Sequence, residues 1–143
     1  MSVDLKGTAH SMKYEIRQLL KQNSGGSIVN ISSVSGFRPQ PQYIAHVAAK
    51  HGVVGMTKVA ALEYGAENIR VNSVAPGAID TPMLQGTLEQ FGHSAEEFAP
   101  QLSLLNRFGQ AEEIAQASLW LVSDQSSYLT GTTIHADAGY TAR

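Results

Sequence analysis

Apolar and polar positions switch between two periods along this chain, and the switching predicts its elements. Between about residues 4 and 22, Met12, Ile16, Leu19 and Leu20 return on one helical face, and Asn23-Ser24-Gly25-Gly26 stops the helix. Ser27 to Ser32 is a β-branched run of the kind that fills a buried parallel strand, closed by the turn Ser33-Val34-Ser35-Gly36. A second helix is predicted from Tyr43 to Gly65, with Val47, Val54, Val59 and Leu62 on or near its buried side. Ile69 to Val74 reads as a strand broken by Pro76-Gly77. Glu112 to Ser123 is a helix with Ile114, Ala117, Leu119, Leu121 and Val122 as its apolar face, and Thr132 to Ala136 is the last strand. Val71 and Trp120 read as core.

Helices alternating with strands predict an α/β fold, a three-layer α/β/α arrangement with a short parallel sheet. Right-handed crossovers then place functional loops at the carboxyl ends of the strands: Ser33, the segment 76–81 and the turn near Asp137. Residues 84–110, with His93 and Pro100, are the least regular stretch and read as a lid or an oligomer-contact segment.

Composition narrows the function classes. A chain of 143 residues suits one domain, 1–143, that buries roughly two-thirds of its unfolded surface. With 43% hydrophobic and 15% charged residues it reads as an ordinary soluble protein, and no apolar run is long enough to span a bilayer. A net charge of -2 gives no basic field for nucleic acid. The absence of cysteine excludes disulfides, thiolate catalysis and a Cys-ligated zinc. His10, His51, His93 and His135 lack metal-ligand spacing, so no metal site is expected. Met1 to Lys6 lacks the apolar core of a signal peptide, and the expected location is the cytoplasm.

The segment Gly26-Ser27-Ile28-Val29-Asn30-Ile31-Ser32-Ser33, followed by His46-Val47-Ala48-Ala49-Lys50, resembles the active-site segment of the short-chain dehydrogenase/reductases. The resemblance implies that Ser33 polarises a substrate oxygen and that a tyrosine stands thirteen residues later, followed by a lysine four further on. Here that position holds His46, with Lys50 in place. Asn72 to Met83 is similar to the family's stretch against the nicotinamide, and Thr130 to Gly139 to its last strand and turn, with Ala138 where glycine is usual. Asp4-Leu5-Lys6-Gly7 resembles the family's Asn-Leu-Lys-Gly, so Asp4 replaces the asparagine of its catalytic tetrad. The thirteen glycines include no G-x-G turn for a pyrophosphate. The resemblance therefore implies the C-terminal half of a Rossmann-like fold, beginning within the family's fourth helical stretch.

Hydride transfer needs a bound nicotinamide and a matched proton donor. The altered residues lead instead to the expectation of a cofactor-independent hydrolase of short acyl esters, carboxylesterase-like, with Ser33 as nucleophile and His46 as general base. Lys50, at i+4 on the same face, favours the neutral ring. Asp4 or Asp80 would orient the imidazole, and N–H groups near Ser35-Gly36 or Gly77 would form the oxyanion hole. Phe37, Arg38, Gln40 and Tyr43 would wall a pocket for a small apolar or aromatic acyl group. Tyr43 as a displaced phenol is disfavoured by Val47 at the matching lysine position. No cofactor is expected on this reading.

The alternative is an oxidoreductase of the family, NAD(P)-dependent if a partner chain supplies the nucleotide-binding half and otherwise inactive. Pro76, Gly77, Ile79 and Thr81 would then contact part of the nucleotide. A plain structural alternative also stands: Ser33 ends a strand, His46 faces solvent and Lys50 is a solvated helix residue. A strand at 28–31 with an unpaired edge, and the family's habit of pairing the helices 4–22 and 43–65 between subunits, predict a homodimer or larger assembly.

Overall fold

The computed structural model describes residues 1–143. Three strands, β1 (Gly26–Ile31), β2 (Ile69–Pro76) and β3 (Thr133–Ala136), form one parallel sheet in that order. Gly26 pairs with Ile69 and Ile31 with Val74, while Ser73 pairs with Thr133 and Pro76 with Ala136. Helix α1 (Thr8–Gln22) precedes β1, and α2 (Ile44–Tyr64) crosses from β1 to β2. Three helices, α3 (Pro82–Phe91), α4 (Ala95–Leu102) and α5 (Ala111–Val122), lie between β2 and β3.

Strand periodicity sorts the layers, because successive side chains leave opposite faces of the sheet. Ile28 and Val71 join Met12 and Ile16 of α1 and Ala60 and Ala61 of α2 in one apolar core. Their neighbours Ser27 and Arg70 reach the other way to α5, where the Ser27 hydroxyl donates to the Leu121 carbonyl at 3.1 Å. The Arg70 guanidinium donates to the carbonyls of Leu121, Ser123 and Leu129, satisfying backbone acceptors at and beyond the carboxyl end of α5. The expected α/β/α layering is thus present.

Local chemistry explains the boundaries. Asn23 closes α1 in the left-handed region at φ 49°. Gly25, at φ 71°, sits so close to the next connection that a Cβ there would lie 2.6 Å from the Asn68 carbonyl oxygen. Thr81 caps α3, with Pro82 in its first turn. Ser94 and Glu97 form a capping box on α4, and at the start of α5 the Glu113 carboxylate accepts the Gln110 N–H at 2.8 Å.

The sequence expectations need four corrections. Residues 2–7 form a π-helical turn, so regular α1 starts at Thr8. Helix α2 buries Ala49, Val53, Val54, Thr57, Ala60 and Ala61, while Val59 and Leu62 are 53% and 86% exposed. Small residues at that spacing let α2 lie close to β2, a stripe that side-chain size alone conceals. Trp120 is half-exposed, not core, and Leu119 and Val122 also face outward from α5, leaving Leu121 as its buried anchor. Residues 84–110 are more regular than expected: two capped helices close on their own cluster of Leu88, Ala99 and Phe108. No helix is long and apolar enough to cross a membrane.

Candidate functional site

The carboxyl end of β1 gathers most of the chemistry-bearing residues. Ser33 follows the strand in extended backbone and caps the short turn Val34–Gly36. Its Oγ accepts the Ser35 N–H at 3.1 Å, and its own hydroxyl donates to Ser35 Oγ at 3.1 Å. Ser35 is buried and donates onward to Gln40 Oε1 at 2.7 Å. The turn lies flat on α2 because Gly36 has no side chain: a Cβ there would stand 2.7 Å from Ser32 Oγ and 3.0 Å from the Lys50 carbonyl.

Lys50 and His46 reach the same region from the first turns of α2. The Lys50 ammonium donates to the Ile31 carbonyl at 3.2 Å, which ties the helix to the strand end. Asp4 stands across from both, with Oδ1 4.0 Å from Lys50 Nζ and Oδ2 4.0 Å from His46 Nδ1. These are outer-limit contacts of partly exposed groups, so they orient more than they stabilise. The π-helical turn is seated by Leu5, which fills the space where a Cβ on Gly52 of α2 would fall.

The other expected residues divide. Gln40 joins Ser33 through Ser35. Phe37 and Arg38 turn instead to β3 and the segment after it. The Phe37 ring packs 4.4 Å from the His135 ring, and Arg38 donates to the Tyr140 carbonyl at 2.8 Å while lying 5.1 Å over that residue's ring. Tyr43 is exposed at the start of α2. Pro76 ends β2, and Gly77 is pressed against the end of β3, where a Cβ would come within 2.8 Å of Asp137 Cα. Ile79 bridges Gly109, and Thr81 accepts the Leu84 N–H as the cap of α3. The N–H groups of Ile79 and Thr81 themselves make no hydrogen bond within the chain.

Two residues that sequence reasoning undervalued belong here. Ser35 entered it only as a backbone donor, although a Ser-x-Ser turn is a visible signal for a hydroxyl pair. Asp137 is buried at the end of β3, and its carboxylate accepts the Gly139 N–H at 3.0 Å, the Thr141 N–H at 2.9 Å and the Thr141 hydroxyl at 2.6 Å. Burial alone would push this carboxyl up, but those donors, with His135 nearby, together hold it below the ordinary aspartate range.

The geometry does not supply what ester hydrolysis requires. The Ser33 hydroxyl is hydrogen-bonded to Ser35 rather than to His46. Asp80 is engaged by Gln85 at 2.7 Å, and Asp4 divides its carboxylate between His46 and Lys50. The proposed oxyanion donors are spent as well: Ser35 N–H on Ser33 Oγ, Gly36 N–H on the Ser33 carbonyl and Gly77 N–H on the Ala136 carbonyl.

Comparison with known proteins shows which family this layered parallel sheet and its strand-end cluster belong to. A family model described as enoyl-(acyl carrier protein) reductase matches residues 1–141. The chain belongs to the short-chain dehydrogenase/reductase family. It is 47% identical over 139 residues to the short chain dehydrogenase/reductase astE of Aspergillus oryzae, covering 97% of this chain and 53% of that protein. The crystal structure of levodione reductase superposes with a TM-score of 0.90 at 38% identity, over 99% of this chain and 56% of that one. ElxO with NADP bound gives 0.89 at 31% identity, over 98% and 56%. The chain spans about half the length of the curated relatives it matches.

These findings overturn the ester-hydrolase expectation. The relatives are named as dehydrogenases and reductases, and structural neighbours hold NADP or NADPH. The accompanying expectation that no cofactor is involved finds no support either.

Proposed function

We propose that this chain carries the substrate side of an NAD(P)-dependent oxidoreductase site that interconverts a carbonyl compound and a secondary alcohol. The observation that carries the reading is the gathering of Ser33, His46, Lys50 and Asp4 at one strand end, in a chain of this family. Ser33 holds the substrate oxygen. His46 stands at the position of the family's tyrosine and acts in its place as proton donor to the alkoxide that forms, or acceptor from the alcohol. Lys50, anchored on Ile31, and Asp4 set the field around that imidazole.

The residues present fit the nicotinamide end of the cofactor. Ile79 and Thr81 have free N–H groups at the carboxyl end of β2, suited to the oxygen of a carboxamide. When bound, the nicotinamide supplies or accepts the hydride. The 143 residues contain no G-x-G turn, so this fit concerns that end alone.

Helices α3 and α4 act as a lid beside the site on this reading. A second copy of the chain packs against the groove between α1 and α2, where Met12, Ile16, Leu20 and Val59 are flanked by Lys13 and Arg17 on one side and Glu63 on the other. Light scattering checks the assembly, and a stable monomer would count against it.

The activity is tested by following NAD(P)H oxidation with a panel of ketones and NAD(P) reduction with the matching alcohols. Calorimetry against NAD(P)H accompanies both assays. Turnover that falls about a hundredfold or more in His46→Phe and is retained in His46→Tyr supports the reading. The absence of both turnover and dinucleotide binding in the unaltered protein would sink it.

A further inference from the structure

The hydroxyl pair behind the site has a direction, and Gln40 sets it. In the structure Gln40 presents its amide oxygen to Ser35, and an amide oxygen can only accept. The Ser35 proton is therefore committed to Gln40, leaving a lone pair of Ser35 Oγ facing Ser33. The Ser33 proton points to that lone pair at 3.1 Å. With its proton turned inward, and with the Ser35 N–H on one lone pair, Ser33 can offer an incoming ligand only its remaining lone pair. This polarity receives a hydrogen bond from an alcohol and gives none to a carbonyl.

Turning the Gln40 amide by half a turn about its last torsion reverses every link. The Nε2–H group then donates to Ser35 Oγ, Ser35 donates to Ser33, and the Ser33 proton is released toward a carbonyl oxygen. The turn is inexpensive because the amide oxygen and nitrogen are close in size and the torsion is broad. Nothing in the chain holds the amide nitrogen: Nε2 has no protein acceptor, while the backbone of Gln40 is fixed separately by the Tyr43 N–H on its carbonyl at 3.2 Å.

We infer that Gln40 and Ser35 are positioning residues, whose two-way amide and hydroxyl relay sets whether Ser33 presents an acceptor to an alcohol or a donor to a carbonyl. The inference rests on the oxidoreductase reading above. It explains why glutamine, which both donates and accepts, serves here: the same relay must meet substrate and product of a reversible reaction. Neither residue touches the reacting atoms, and the effect passes wholly through Ser33.

Gln40→Glu is the decisive variant, because a carboxylate only accepts and locks the relay in the alcohol-receiving polarity. The KM for the carbonyl substrate should rise about tenfold, one hydrogen bond's worth, while the KM for the alcohol stays within about twofold. Ser35→Ala should impair both directions, and Ser35→Thr, which keeps the hydroxyl, should rescue them. Equal changes in the two KM values in Gln40→Glu, or no change in either, would overturn the inference.

A second measurement does not depend on turnover. In labelled protein the Ser35 amide and hydroxyl proton resonances should move in Gln40→Glu as the acceptor strengthens, and unmoved resonances would also overturn the inference. If the unaltered protein turns over neither substrate, the oxidoreductase reading fails, and the relay is decided by the resonance shifts alone.

Discussion

The Ser33 turn and the α3–α4 segment flank the same end of the sheet and are held by opposite means. Around Ser33 the contacts are polar and short-ranged: Ser35, Gln40, the Ile31 carbonyl and the Lys50 ammonium, all set against the rigid joint of β1 and α2. Around Leu88 they are apolar and self-contained, with Ala99 and Phe108 buried beside Leu84, Phe98 and Leu102. The ties from α3–α4 to the rest are few. The Leu104 N–H donates to the Ala138 carbonyl at 2.9 Å, Ile79 bridges Gly109, and Arg143 donates to the Gln101 carbonyl. A segment with its own small core and few external bonds can shift as a unit, whereas a polar relay packed into a strand–helix joint keeps its geometry only if nothing beneath it moves. One region is fixed by polar contacts, the other by a small apolar core of its own.

That contrast is best broken by mutation, beginning with the largest effect. Ser33→Ala should lower turnover about a hundredfold or more and leave the melting temperature within a few degrees, read by steady-state kinetics and calorimetry. A matched loss of stability would mean that the serine is structural. Phe108→Ala should cost the α3–α4 cluster about 3 kcal/mol or more, seen as faster amide exchange confined to residues 82–110. Exchange rising equally throughout the sheet would show the two regions to be one cooperative unit. Gly77→Ala should destabilise the whole chain by about 1–3 kcal/mol, since the new methyl meets the Asp137 backbone at 2.8 Å. Urea unfolding measures it.

The smallest effect concerns pH. The Asp137 carboxyl is held below its unfolded value, so its contribution is fully present above that value, about 3.9, and is lost as pH falls through the lower folded value. Asp137→Asn should be less stable than the unaltered protein near neutral pH, and the two should converge in acid. Glu113, drawn down to about 2 by the Arg107 guanidinium and then by the Gln110 N–H, has the same sign, but its exposure at the surface and screening by salt leave it little weight. Melting curves collected from pH 7 to pH 3 test both residues, and parallel curves for Asp137→Asn would remove Asp137 from the account.

Most of the sheet could be read directly from the sequence because its signals are local. The β-branched run at Ile28, the Pro76-Gly77 break and Asn23 at a helix end each act within a few residues. What escaped notice depended on distance or on small size. The buried stripe of α2 is built from alanines and a threonine, so hydrophobic bulk pointed to Val59 and Leu62 instead. The segment 84–110 did carry its signs, Thr81-Pro82 and Ser94-x-x-Glu97, but its interrupted apolar pattern hid two short helices. At the site, spacing set Ser33, His46 and Lys50 in register, yet register does not determine where a hydroxyl proton points. That depends on Ser35 and Gln40, which only the folded turn brings together. The hydrolase expectation, overturned by the dehydrogenase and reductase relatives, read a nucleophile and base from register alone, whereas the Ser33 hydroxyl is bonded to Ser35.

The π-helical turn of residues 2–7 has a further consequence. Such a turn takes in one more residue than an α-helical turn, so the chain's offset from a regular extension of the helix that follows grows along it to roughly 100°. Asp4 faces His46 and Lys50 because of that offset. The acid's aim is therefore a matter of winding number as much as of residue identity. Deleting one residue from this turn would leave every side chain of the cluster in the sequence and swing its only carboxylate away.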